Sequence, residues 1–150
     1  MNIKLFAVGL IIFVVLFISI SFRESDDLRA GIVCWREGYC IDVEVMESER
    51  ARRKGLMYRD FLRDDAGALL IFDSPGIHGE WMRNMKFPTD FIWLDEEKVV
   101  IHMHENLTPC GGGACQVYYT PKPALYGIEV NAGHSRKNNL SVGDVVEILI

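Results

Sequence analysis

The chain has 150 residues and a formal net charge of −5, which leaves room for one domain once any targeting segment is set aside. Lys4 is the only charged residue among the first 22, so the remainder carries −6. That balance argues against nucleic acid or an anionic bilayer surface as the partner.

From Leu5 to Phe22 no residue is charged. As a helix this stretch would extend roughly 27 Å, close to the hydrocarbon thickness of a bilayer. Lys4 precedes it, and Glu24, Asp26 and Asp27 follow. The asymmetry favours an N-terminus inside the cytoplasm and the rest outside. The length of the apolar core favours an uncleaved anchor; the rival is a cleaved signal peptide ending near Ser19-Ile20-Ser21. The expected organisation is an N-terminal transmembrane anchor or signal segment over 1–22, a polar linker over 23–30, and a single extracytoplasmic β-rich domain over 31–150.

The four cysteines fit an exported location, where pairing is the default. Residues 31–35 and the alternating run Ile41-Asp42-Val43-Glu44-Val45 read as two strands of a hairpin. A three-residue loop Arg36-Glu37-Gly38, with Gly38 left-handed, sets Cys34 directly opposite Cys40. Pro109 and Gly111-Gly112-Gly113 allow a tight loop that joins Cys110 to Cys115. A four-cysteine zinc site is the competing arrangement, although the short C-x₂-C spacing is missing.

Ser48 then offers an N-cap, Glu49 suits a first helical turn, Arg52, Arg53 and Lys54 suit a last one, and Gly55 a left-handed terminus. This predicts a short helix over 49–54. The apolar run Ala68-Leu69-Leu70-Ile71-Phe72 predicts a strand covered on both sides. Further strands are expected near 80–84, 90–95, 98–104, 116–120, 125–131 and 144–150, separated by Gly, Pro and Asp turns. The expected fold class is α+β, mostly β: a compact, largely antiparallel barrel-like domain with one or two short helices.

His102 and His104 share one face of a strand, a spacing that suits a divalent metal, but no third ligand is legible and a solvated strand face accounts for them. Met82 and Met85 serve as core filler. No nucleophile motif, phosphate loop or cofactor signature is present. Asn106 and Asn139 begin N-glycosylation sequons. The densest group of unusual residues runs from Glu80 to Asp95, where Trp81, Arg83, Asn84, Asp90 and Trp93 interrupt apolar sequence. Aromatic faces beside amide and carboxylate groups suit a small polar ligand such as a sugar; equally, Asn84 and Asp90 could tie down turns.

Arg53-Lys54-Gly55-Leu56-Met57-Tyr58-Arg59 resembles the R-x-G-L-M-x-R segment of the family called domain of unknown function 192. Residues 67–72 resemble its G-M-L-F-x-F strand, Trp81-Met82-Arg83-Asn84 its W-M-K-N, and Pro88-Thr89-Asp90 its P-L-D. Pro109-Cys110, Cys115 and Tyr119 match its P-C-x₄-C stretch and nearby tyrosine, and Glu129-Val130-Asn131-Ala132-Gly133 its E-V-N-A-G. Met85 and Thr89 depart from the pattern, which has Thr and Leu there. The resemblance covers roughly residues 40–150 and implies a compact β-barrel-like α+β domain, often exported, with no established reaction.

The resulting expectation is a membrane-anchored binding module for a small polar ligand, lined by Arg59, Trp81, Arg83, Asn84, Asp90 and Glu129. Two alternatives stand beside it. One is a cell-envelope hydrolase using Asp90 and Glu129 as acid and base; the other is an accessory domain that docks onto a membrane protein.

Overall fold

Alternating Ile41, Val43 and Val45 put one face of a strand into a core and leave Asp42 and Glu44 on the other. In the computed structural model, which describes residues 29–36, 38–111 and 113–150, that strand is β2 (Tyr39–Met46). It pairs with β1 (Arg29–Trp35) in the register that sets Cys34 against Cys40. Cys34 and Cys40 form one disulfide, with Cα atoms 4.1 Å apart, and Cys110 and Cys115 the other, at 5.8 Å. Local pairing therefore holds, and the zinc alternative falls. The anchor expected over 1–22 and most of the linker lie outside the described residues, among which no helix is long and apolar enough to cross a membrane.

Ser48 caps helix α1 (Glu49–Lys54) by accepting the Ala51 N–H, as the sequence predicts. Gly55 closes it with φ 47° and ψ −134°, a conformation outside the ordinary left-handed well and open to glycine alone. The chain then runs into β3 (Ala66–Gly76), β4 (Gly79–Trp81), β5 (Thr89–Leu94), β6 (Val100–Leu107), β7 (Val117–Tyr119) and β8 (Ala124–Asn131). A second helix, α2 (His134–Lys137), and β9 (Glu147–Leu149) follow.

Seven strands form one sheet in the order β6-β5-β8-β3-β2-β1-β9, while β4 and β7 make a separate two-stranded ribbon. The pairing is largely antiparallel, as expected, with β2 and β3 the parallel pair. The expected barrel is corrected: the sheet is open. Its far ends approach only at an isolated bridge between Val99 and Val145, where the Val100 N–H donates to the Asp144 carbonyl at 2.9 Å.

Both faces of the sheet are covered, and every residue of β5 is buried. Ile92 and Leu94 join Val33, Ile41, Val43, Ile128 and Val130 in one core. Phe91 and Trp93 join Met46, Leu56, Ala68, Leu70 and Met82 in the other. Gly127 is required beneath Phe91, because a Cβ there would lie 2.6 Å from the ring.

Each disulfide closes a loop of only a few residues, so its effect on the unfolded chain is modest. Replacing Cys34 and Cys40 together by serine is expected to cost about 2 kcal/mol, measurable as a lowered urea midpoint with an unchanged slope.

Candidate functional site

The parallel β2–β3 pair places three residues of different strands side by side on the second core's face. Glu44 of β2 pairs with Ala68 of β3, and Ala68 pairs with Glu129 of β8. At the usual strand spacing the two glutamates stand roughly 10 Å apart at the backbone. Between them lies only the Ala68 methyl, which leaves room for polar groups above the sheet.

The segment after α1 fills that room. The Leu56 N–H and the Thr89 hydroxyl hydrogen-bond the Glu129 carboxyl. Gly55 passes so close that a Cβ would sit 3.4 Å from Glu129 Oε2. Arg59 donates two hydrogen bonds to Glu44, and this pairing holds the Glu44 carboxyl below the usual range. Glu129 is buried. Burial raises it from 4.5 to about 7, against the opposing pull of Thr89, Leu56 and the Arg59 charge.

A further carboxyl faces this row from the β4–β7 ribbon. Glu80 is half-buried and accepts the Trp81 N–H at 2.9 Å. Desolvation, then the negative charge of Glu129, raises it from 4.5 to about 8. It also lines a cleft of about 480 Å³ between α1, the end of β3 and the β4–β7 ribbon. Trp81, Phe72, His78, Tyr119, Arg52 and Arg53 form other parts of the wall. The cations there have local partners: Arg52 meets Asp73 at 3.3 Å and Arg53 meets Glu49 at 3.9 Å. Several aromatic faces are also engaged from within. His78 stacks on Phe72 at 3.7 Å, and the Arg83 guanidinium sits 4.4 Å over Trp81.

The residues singled out from sequence are therefore distributed unevenly. Arg59 and Glu129 meet in the carboxyl row, and Trp81 with its stacked Arg83 stands at the cleft. Asn84 joins the loop after β4 to the segment after α1. Its carbonyl accepts the Tyr58 N–H at 2.9 Å and its amide donates to the Tyr58 hydroxyl at 2.7 Å. At φ 56° it occupies a left-handed position that asparagine tolerates. Asp90 stands apart. It precedes Phe91, whose pairing partner is Glu129, so its side chain points to the opposite face of the sheet. There it accepts the N–H groups of Asn106 at 2.9 Å, Gly133 at 3.1 Å and Ser135 at 3.1 Å. Asp90 and Glu129 do not share a cleft.

Glu80 and Glu44 are the site groups that sequence reasoning passes over. Glu44 reads as the solvated half of an alternating strand. Glu80 had one usable signal, a carboxylate beside Trp81 in a short strand. His102 and His104 lie edge to face at 4.5 Å on β6, and the His104 ring contacts the Tyr119 carbonyl at 3.2 Å. Among the described residues no three His, Cys, Asp or Glu side chains gather as a metal site.

The segments at residues 53–59, 81–84 and 129–133 thus converge on one structural unit. The family profile of DUF192, described as Uncharacterized ACR, matches residues 32–148. The chain belongs to the DUF192 family. No curated protein matches it. Two crystal structures resemble this DUF192 domain. One is a "putative transcription regulator" from Sinorhizobium meliloti, 27% identical, with TM-score 0.70 over 79% of this chain and 91% of that one. The other is a protein of unknown function from Novosphingobium aromaticivorans, 26% identical, with TM-score 0.71 over 80% of this chain and 84% of that one.

Loss of the Asp90 carboxylate would strand three backbone donors. Asp90→Ala is expected to destabilise the domain by about 3 kcal/mol or more, read from equilibrium unfolding in urea. The two raised glutamates give a pH signature. Each holds its proton more tightly folded than unfolded, so their stabilising contribution is complete below pH 4.5 and lost as the pH rises to about 8. The melting temperature should fall across that window, and Glu80→Gln should flatten the fall, as thermal scans at stepped pH would record.

Proposed function

We propose that this DUF192 domain is a binding module for a small, neutral, polar ligand, a sugar being the best chemical fit, held outside the cytoplasm by the apolar segment 5–22. The observation that carries the reading is the charge balance of the cleft. Its arginines are matched by Asp73 and Glu49, and Glu80 on its wall keeps its proton near neutral pH. A site with no net charge, one hydrogen-bonding carboxyl and the exposed ring of Tyr119 suits hydroxyl groups on an apolar ring face.

The hydrolase reading has less support. The carboxylates first paired for it, Asp90 and Glu129, lie on opposite faces of the sheet, and Glu129 is buried behind the cleft. A nucleic-acid role, suggested by the description of the Sinorhizobium neighbour, meets a chain of net charge −5. Trp81 remains a proposed ligand contact, with Arg83 holding its ring in place. Arg59, Asn84 and Glu129 are proposed as the frame behind the site.

Titration calorimetry with glucose, maltose and N-acetylglucosamine tests the reading. Binding of at least one sugar is expected, weakened about tenfold or more, roughly 1.4 kcal/mol, by either Glu80→Gln or Tyr119→Ala. Binding that ignores both substitutions, or no binding across the series, would overturn it.

A further inference from the structure

The covering layer over the second core's face stops short of one sheet edge. The segment after α1 spans β2, β3 and β8, whereas β1 and β9 at the end of the sheet are left open on that side. The result is a groove of about 1040 Å³. Ile32 and Leu149, paired across β1 and β9, form one wall and Phe61 and Leu62 the other. Three of these are large apolar side chains facing solvent: Ile32 is 40% exposed, Phe61 75% and Leu149 48%. A contiguous patch of this kind marks a contact surface.

The charges around the groove are already matched. Arg59 is bound by Glu44. Arg63 reaches Asp42 at 2.8 Å and Asp65 at 3.0 Å, and Arg29 reaches Glu47 at 2.9 Å. Paired charges cost less to bring to an apolar boundary than lone ones.

The chain's path supplies the occupant. Ala30 and Gly31 themselves line the groove. Only residues 23–28 separate Arg29 from Phe22, where the uncharged stretch ends. Fully extended, that connection spans roughly 25 Å at most. We infer that the open β1–β9 edge, with Phe61 and Leu149 foremost, rests on the lipid bilayer at the boundary of its acyl chains. The inference rests on the reading of residues 5–22 as a membrane segment. The contact is apolar, so it needs no anionic lipid and is compatible with the acidic charge of the domain. It also turns the far end of β3, where Gly76 pairs with Ala124 close to the exposed Lys122, toward solvent.

The test uses the full chain in phosphatidylcholine vesicles. The native cysteines are paired, so a thiol-reactive nitrobenzoxadiazole probe can be placed in turn at Phe61→Cys, Leu149→Cys and, as a control, Lys122→Cys. At positions 61 and 149 the emission should shift to the blue and be quenched by doxyl-labelled phosphatidylcholine. At position 122 neither change is expected, and the pattern should persist in high salt. If the chain resists carbonate extraction but the probes at 61 and 149 stay unquenched, the inference is overturned while the anchor stands. A blue shift without lipid quenching, with cross-linking to a second copy, would assign the face to a protein partner and equally overturn it. If carbonate strips the chain from the vesicles, the anchor itself fails and the inference with it.

Discussion

The parallel pairing of β2 with β3 is the constraint from which the rest of the domain follows. Two parallel neighbours cannot be joined by a tight turn, so the chain must travel back along the sheet before it can pair again. Residues 47–65 make that journey, first as the six-residue α1 and then as an irregular segment. The return path lies over the row formed by Glu44, Ala68 and Glu129, and its Leu56 N–H and Arg59 guanidinium satisfy the carboxyl groups beneath. Without the crossover, Glu129 would be a buried acid with no backbone donor, an arrangement that costs several kcal/mol.

Once the crossover is in place, the electrostatics order themselves by distance from Arg59. Glu44, in direct contact, is held ionised. Glu129 feels Arg59 without a bond to it, and burial dominates. Glu80, facing Glu129 and lacking a cationic partner among its influences, is raised further still. Three glutamates of identical intrinsic acidity are thus graded across the domain by position alone. The most protonated of them is the one at the cleft.

How much of this was legible in the sequence depends on how local each feature is. The span of α1 was readable, because Ser48, Glu49, the basic run and Gly55 are contiguous signals, although Gly55 ends it outside the left-handed well expected there. The β1–β2 hairpin and its disulfide were readable from the loop length. The direction of β3 was not: an apolar pentad reports that a strand is covered on both faces, not which way its neighbour runs, and no local signal tells that the two ends of the sheet stay open. The site suffered from the same limit. In β5 all six residues are buried, so no alternation betrays that Asp90 faces away from Glu129. Glu80 is desolvated by a ribbon whose other strand, β7, comes 36 residues later, and nothing near Glu80 in sequence announces it. The family motifs pointed to the right segments, but not to which side chain in each does what.

The hairpin also has a mechanical meaning. Any load carried along the N-terminal segment enters the domain at Arg29, the open end of the β1–β2 ladder, where Arg29 faces Val45. Tension applied there breaks rungs one after another, like a zipper, rather than shearing them all at once. The tear can run only as far as Cys34, whose covalent link to Cys40 closes the far end of the ladder. The strand can fray under tension, but it cannot be drawn out of its hairpin.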